Sequence, residues 1–209
     1  MKPPLRQIRA VHTETTIRVY QAYPPEIGDA ALRAGRFVAP FKRERMTWIK
    51  PSFLWMAYRC GWGAKPGQER VLAIDITRDG FDWALANSAL SHFHSDVHAD
   101  EKAWKAHMRS SPVRIQWDPE RNLHLGPLGH RSIQIGLSGE AVGKYVDDWT
   151  VHITDVTADM RAVHSEVVAG DLERARSLLP DERPYALSPE LTTAIGATEP
   201  STSSTTAAR

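Results

Sequence analysis

The sequence lacks most of the features that mark the common classes of enzyme and metal-binding protein. It has one cysteine, Cys60, which excludes an internal disulfide and a zinc site of paired cysteines. No P-loop, G-x-G-x-x-G, G-x-S-x-G or H-E-x-x-H motif occurs. The sequence therefore gives no support to a P-loop nucleoside triphosphatase, a Rossmann dehydrogenase, an α/β-hydrolase or a zinc protease.

Long apolar runs are also missing. No stretch approaches the length needed to cross a bilayer, so we expect no membrane partner. The first residues, MKPPLRQIRA, lack the apolar core of a signal peptide, which favours a cytoplasmic protein. The chain has 209 residues, of which 42% are hydrophobic, and can form one sizeable core. We predict a single globular domain over 1–188 and a disordered tail, rich in Ser, Thr and Ala, over 189–209.

The charge is unevenly distributed, although the net charge is only +1. Residues 1–70 contain 13 Lys and Arg against 5 Asp and Glu, whereas the remainder contains 13 against 20. One interpretation is a basic face that binds phosphate groups. The other is that the two parts pack together and neutralise each other, and the sequence leaves both open.

The segment 41–68 contains three of the seven tryptophans together with a strong excess of positive charge. Aromatic side chains interleaved with Arg and Lys suit a surface that stacks on a flat group and neutralises an anion. This pattern predicts a nucleotide or nucleic acid as the partner. Candidate ligand-binding residues, here and on an earlier strand, are Tyr20, Arg45, Trp48, Lys50, Trp55 and Arg59.

Pro51 sets the local structure of this segment, because it restricts Lys50 to an extended conformation and suits the first turn of a helix. We therefore predict a strand that places Trp48 and Lys50 on one face, followed by a helix that places Trp55 and Arg59 on one side. An alternative is that the tryptophans simply belong to the core.

In the rest of the sequence, predicted strands and helices mix without regular βαβ alternation. This order predicts an α+β fold: a single domain with a mixed, largely antiparallel sheet flanked by helices. Strands are predicted at Thr16–Ala22, Arg45–Lys50, Val71–Ile76, Pro112–Trp117, Arg131–Leu137 and Trp149–Asp155. Helices are predicted at Pro51–Arg59, Gly80–Ala89, Asp100–Arg109, Gly139–Val146, Asp159–Ala169 and Asp171–Leu179.

Three strands carry candidate catalytic residues. Arg18 projects with Tyr20 from one face, as a phosphate and ring clamp would. On base rates, a solvated Arg beside a half-buried Tyr on an edge strand is somewhat favoured over the clamp. Asp118, Glu120 and Arg121 lie at the end of a strand, where a general base or a ribose-binding carboxylate would sit, although Asp118 before Pro119 favours a plain turn. Glu120 and Gln116 are the candidates from this strand. Gln134 precedes Gly136, which would allow close approach of a ligand or another backbone.

The histidines at 92, 94 and 98 are the nearest approach to a metal-ligand cluster. They lie in a polar, turn-rich segment, SHFHSDVHAD, with no cysteine or ordered set of carboxylates to complete a site. We interpret the segment as a solvated loop and predict no metal.

Several long motifs occur together and in order: RQIRA, VYQAY, FKRERMTWIKPSFLWMAYRCGW, KPGQERVLAI, SPVRIQWDPER and RSIQIGLSGEAV. On these motifs the chain resembles the domain of unknown function 4291 family from Arg6 to Asp155. The resemblance implies the extent of the domain and no particular activity.

A looser similarity is to the ADP-ribosyltransferase-like superfamily, whose members combine a split, mostly antiparallel sheet with an early Arg or His, a middle Ser or Tyr and a late Glu or Gln. It implies NAD as a ligand. The matching positions would be Arg18, Ser52 and one of Gln116, Glu120 or Gln134. Ser52 departs from the pattern, because it falls on a predicted helix instead of a strand.

We therefore expect an enzyme directed at a nucleotide or nucleic acid, with ADP-ribosyl transfer or related chemistry at ribose as its reaction. The alternative is a non-catalytic RNA- or DNA-binding module that uses the same surface. The two differ in one respect: an enzyme needs a carboxylate or glutamine from the late strands facing the basic aromatic surface.

Overall fold

The computed structural model describes residues 3–95 and 97–198. The strands in these residues are β1 (Arg9–Ala10), β2 (Thr16–Tyr23), β3 (Thr47–Ile49), β4 (Arg70–Thr77), β5 (Ser88–Leu90), β6 (Val113–Arg121), β7 (Pro127–Leu137), β8 (Thr150–Asp155) and β9 (Arg183–Pro184). The helices are α1 (Pro25–Ala34), α2 (Phe53–Cys60), α3 (Arg78–Ala86), α4 (Glu101–Ser110), α5 (Glu140–Lys144), a π-helix (Tyr145–Trp149), α6 (Thr157–Ala169), α7 (Leu172–Ser177) and α8 (Pro189–Ala194).

The strands form two principal sheets. One is antiparallel, with the order β2-β4-β8, and the other has the order β3-β7-β6-β5, in which only the β5–β6 pair is parallel. The sheets meet where the Tyr20 N–H donates to the Lys50 carbonyl at 2.7 Å. The predicted α+β class with largely antiparallel pairing is confirmed, and the pairing is divided between two sheets.

The larger hydrophobic core is shared by both sheets. Ile17 and Val19 of β2 and Ile133 and Ile135 of β7 all belong to it, as strand alternation predicts. The opposite face of β2 contributes Tyr20 to a second core beneath α2, α6 and α7. The four-stranded sheet therefore turns the other face of β6 and β7, which carries their polar residues, away from the larger core.

The boundaries of α2 and β6 differ from the prediction. The helix begins at Phe53 and not at Pro51, because the Ser52 side chain caps it by accepting the Trp55 N–H at 3.1 Å. β6 continues through Asp118 to Arg121, since Asp118 pairs with Ser132 on β7. The prediction of a turn at Asp118 was therefore wrong. α1 was not predicted, although its first residue, Pro25, is a typical N-terminal helix position.

Residues 189–198 are folded onto the domain, contrary to the predicted disordered tail. Ser188 caps α8, and Ile195 is fully buried in the larger core. The Trp117 Nε1–H donates to the Ile195 carbonyl at 2.8 Å. The prediction of disorder is therefore wrong for 189–198. The polar residues of this segment form α8, and its apolar residues pack on the domain. The rest of the predicted tail, 199–209, lies outside the described residues.

Within the described residues, no helix has the length and apolar character that crossing a bilayer requires. The lone Cys60 is fully buried in the second core, where burial raises the pKa of its thiol. Trp62 lies in the same core. The interpretation of the tryptophans as core residues thus holds for Trp62.

Candidate functional site

A cleft of about 890 Å³ lies over the polar face of the four-stranded sheet. Its walls come from β2, β3, β6 and β7, from α1 and α2, and from residues 40–42 and 45–46. The volume is within the range typical of small-molecule sites.

The floor of the cleft depends on a contact between Trp48 and Gly136. The two residues are directly opposite on β3 and β7, and a Cβ at Gly136 would lie 2.9 Å from the Trp48 ring. Buried Gln21 fixes this part of β3, because its Nε2 donates to the Trp48 carbonyl at 3.1 Å and to Thr47 Oγ1 at 2.8 Å. Because Gly136 has no side chain, the Trp48 indole ring of the neighbouring strand can pack directly against it.

Lys50 lines the cleft and is only 3% exposed. Its Nζ is 3.8 Å from the centroid of the Trp55 ring and 5.7 Å from that of Trp48, and it donates a hydrogen bond to Gln134 Oε1. Burial lowers the pKa of Lys50 to about 7, against the opposing attraction of Asp118. Near pH 7, Lys50 is therefore a neutral amine in a substantial fraction of the molecules.

Two glutamine amides hold the Asp118 carboxylate. Gln134 Nε2 donates to Asp118 Oδ2 at 2.6 Å, and Gln116 Nε2 donates to Oδ1 at 2.7 Å. Lys50, Gln134, Asp118 and Gln116 thus form a continuous chain of hydrogen bonds across three strands. Sequence reasoning did not select Asp118 as a candidate, because Asp before Pro favours a turn, although strict alternation from Gln116 places the two on the same face.

The remaining charges of the cleft are strongly positive. Its cationic lining residues are Lys42, Arg45, Lys50, Arg59 and Arg121. Among the described residues that line it, Asp118 provides the one carboxylate. The Arg121 guanidinium stacks 3.6 Å from the centroid of the Tyr58 ring, which holds it at the wall. The cleft is therefore suited to an anionic ligand that has a flat group.

Trp55 presents an unsatisfied hydrogen-bond donor at this site. The side chain lines the cleft and is 8% exposed, and its buried Nε1 has no hydrogen-bond partner within the described part of the chain. A buried N–H without an acceptor costs about 1–3 kcal/mol. An acceptor atom on a bound ligand would remove that cost.

The structure brings together seven of the eleven residues proposed from sequence. The residues that line the cleft are Arg45, Trp48, Lys50, Trp55, Arg59, Gln116 and Gln134. Arg18, Tyr20, Ser52 and Glu120 do not line it. Arg18 instead makes a two-point ion pair with Asp75 on the neighbouring strand, at 2.8 and 2.9 Å, and Tyr20 packs edge-on against Phe53 in the second core.

Ser52 and Glu120 meet at the start of α2. Ser52 Oγ donates to Glu120 Oε1 at 2.9 Å, and nearby Glu182 Oε1 accepts the Phe53 N–H at 2.6 Å. Burial raises the pKa of both carboxyl groups, that of Glu182 to about 8. Their contacts order the helix N-terminus, which bears Trp55 on its first turn.

The histidine segment and the rest of the described chain contain no group of three or more side chains arranged to hold a metal ion. His98 lies over Phe93, with 5.7 Å between the ring centroids, and its Nδ1 is 3.1 Å from the His94 carbonyl. This segment is a packed loop beside α4.

Comparison with family models identifies the family of the chain. None of the curated proteins searched matches the chain. A family model described as a domain of unknown function, DUF4291, matches residues 7–185 and so extends beyond the motifs that suggested it. Because this match covers most of the chain, the protein belongs to the DUF4291 family.

Proposed function

We propose that the protein is an enzyme that acts on a nucleotide, with ADP-ribosyl transfer from NAD, or a related substitution at ribose, as its reaction. The observation that carries this proposal is Asp118, a carboxylate held by Gln116 and Gln134 within a basic aromatic cleft. A binding module needs no such group, whereas substitution at ribose does.

The cleft's composition supports nucleotide binding. Trp48 and Trp55 offer aromatic surface for a base, and stacking of this kind contributes about 1–3 kcal/mol per base. Arg45 and Arg59 supply guanidinium groups, which bind phosphate oxygens in pairs. In this proposal they hold the diphosphate, because Arg18 is paired with Asp75 outside the cleft.

The polar chain supports the chemistry. When the bond from ribose C1′ to the leaving group breaks, nicotinamide departs with the bonding pair and C1′ becomes positively charged. A fixed carboxylate such as Asp118 stabilises that charge without having to reorganise. The nucleophile of the acceptor then bonds to C1′, and its proton passes to a base. Lys50 suits that role, because its pKa is lowered to about 7.

The test is calorimetric titration with NAD, ATP, GTP and a short single-stranded RNA, together with an assay for nicotinamide release from NAD. Trp48→Ala should weaken nucleotide binding about tenfold or more, since it removes a stacking surface. Trp104→Ala, in α4 outside the cleft, is the matched control. Asp118→Asn should retain binding and lose turnover, whereas Asp159→Asn, which removes an exposed carboxylate, should not.

Each alternative has its own outcome. Binding of RNA alone, with affinity that falls steeply as salt rises, would replace the proposal with a nucleic-acid-binding module. NAD binding that is equal in wild type and a folded Trp48→Ala variant would show that the cleft is not the site. Nicotinamide release that survives Asp118→Asn would remove the catalytic role of that carboxylate.

A further inference from the structure

A second cavity of about 280 Å³ adjoins the cleft and shares Gln116 and Asp118 with it. It lies beside β6, just beyond Ile115, where the parallel pairing with β5 stops at Leu90. Asp118 therefore contributes to the walls of two separate spaces. The smaller one has room for a group such as a sugar phosphate and not for a whole dinucleotide.

Two arginines that have no carboxylate partner among the described residues line this second cavity. The ion pairs within the described residues include neither Arg6 nor Arg131. Arg131 Nη1 donates to the Trp117 carbonyl at 2.9 Å, which leaves its charge uncompensated. Arg6 Nη1 donates to the Gly196 carbonyl at 3.2 Å, and Nη2 is 3.3 Å from His94 Nδ1, which also lines the cavity. The buried Nε of Arg6 has no partner in the described part of the chain.

The position of Arg6 is fixed by the C-terminal segment. The Arg6 N–H donates to Thr198 Oγ1 at 2.8 Å, and the Thr198 N–H donates to the Arg6 carbonyl at 2.8 Å. Arg6 and Thr198 both lie outside residues 7–185, the part matched by the family model. A guanidinium held in place with an unused donor is preorganised, so little ordering entropy is lost when an anion binds.

We infer that the second cavity binds the phosphate group of a second substrate. Two uncompensated guanidinium groups favour a phosphate oxyanion over a neutral ligand, because Arg–phosphate hydrogen bonds are charge-assisted and directional. Both carboxylate oxygens of Asp118 already accept hydrogen bonds from Gln116 and Gln134, which moderates its repulsion of the anion. The phosphate would anchor an acceptor whose nucleophilic atom reaches Asp118. That last step rests on the proposed function, whereas phosphate binding itself does not.

The experiment is calorimetric titration of the full-length protein with inorganic phosphate, at constant ionic strength maintained with chloride. Arg6→Gln and Arg131→Gln should each weaken phosphate binding about 10-fold to 100-fold, as expected for loss of a charged hydrogen bond. Arg114→Gln is the matched control, because Arg114 also lies on the sheet and lines neither cavity. Circular dichroism verifies folding, and Arg6→Lys, which keeps the charge without the planar fork, should give an intermediate loss.

The outcomes separate this inference from the proposed function. Phosphate binding that depends on Arg6 and persists in Trp48→Ala supports the second site, even if no nucleotide binds the cleft. Tighter binding of ribose 5-phosphate than of inorganic phosphate, with the same Arg6 dependence, identifies the source as a sugar phosphate, whereas equal affinity identifies free phosphate. The inference is overturned if phosphate does not bind, if all three arginine-to-glutamine variants bind it equally, or if only Arg45→Gln, in the main cleft, reduces binding.

Discussion

Replacement of Lys50 by Met should change how the protein's stability depends on pH. Lys50 is 3% exposed, and its Nζ lies over Trp55 in contact with the Gln134 amide oxygen. No carboxylate of residues 3–95 or 97–198 forms an ion pair with it. Desolvation therefore dominates, and the pKa falls from the usual 10.5 to about 7. Met has a similar length and cannot be protonated, so Lys50→Met removes the titration while filling much of the same space.

The sign and size of the effect follow from proton linkage. Below pH 7 Lys50 is protonated in the folded and unfolded states, and the folded state bears the full cost of a buried ammonium, roughly 5 kcal/mol for a pKa depression from 10.5 to about 7. Between about pH 7 and 10.5 the unfolded state binds more protons. The free energy of unfolding due to Lys50 therefore rises with pH across this window, by at most about 1.4 kcal/mol per pH unit.

The assay is urea unfolding followed by circular dichroism for wild type and Lys50→Met, from about pH 6 to about pH 10. The quantity of interest is the difference in free energy of unfolding between the two proteins at each pH. Glu182 and the other titrating groups are common to both and cancel in that difference. Lys102→Met removes an exposed lysine and controls for the change in net charge.

We expect wild type to gain stability relative to Lys50→Met as pH rises above 7. A difference in free energy of unfolding that is the same at every pH would reflect lost packing or the unsatisfied Gln134 oxygen. Such a constant difference does not affect the test, which concerns only the change with pH. A difference that stays flat, or falls, between pH 7 and 10 would refute the argument that burial governs this lysine. The role proposed for Lys50 as a base near neutral pH would then have to be abandoned.

Three further predictions concern other parts of the fold. Gly136→Ala should destabilise the protein by about 1–3 kcal/mol and weaken nucleotide binding, because the added methyl displaces Trp48; urea unfolding and calorimetry measure the two effects. Relative to Glu182→Gln, wild type should lose free energy of unfolding as pH rises from 4.5 to about 8, because the folded state holds the proton more tightly; the same unfolding assay at several pH values measures this. Ile195→Ala should lower the free energy of unfolding by about 2–4 kcal/mol, whereas a disordered residue would give no change.

Local rules predicted the parts of the fold and cleft that local sequence determines. Alternation placed Ile17 and Val19 in one core and Tyr20 on the opposite face, since a strand's side chains can only alternate. The same rule placed Trp48 and Lys50 together in the cleft, because Pro51 fixes where the extended segment ends.

The remaining features depend on partners distant in sequence. Asp118 before Pro119 favours a turn on local grounds, yet pairing with β7 keeps the chain extended and turns the carboxylate into the cleft. Arg18 is removed from the candidate site by Asp75, which only the register of β2 on β4 reveals. The composition of 189–198 is typical of disorder, and Ile195 is ordered by a core formed elsewhere in the chain.

The hydrogen bond from the Tyr20 N–H to the Lys50 carbonyl joins the two sheets at the residue whose amine lies in the cleft. Lys50 therefore takes part in the cleft through its side chain and in the junction of the two sheets through its carbonyl. The Tyr20 side chain belongs to the second core and does not line the cleft, while its amide is bonded to a cleft residue. Hydrogen exchange of that amide should slow when the cleft is filled and quicken when the Lys50 side chain is truncated. The exchange rate of this one amide would then report whether the cleft is occupied, whichever ligand fills it.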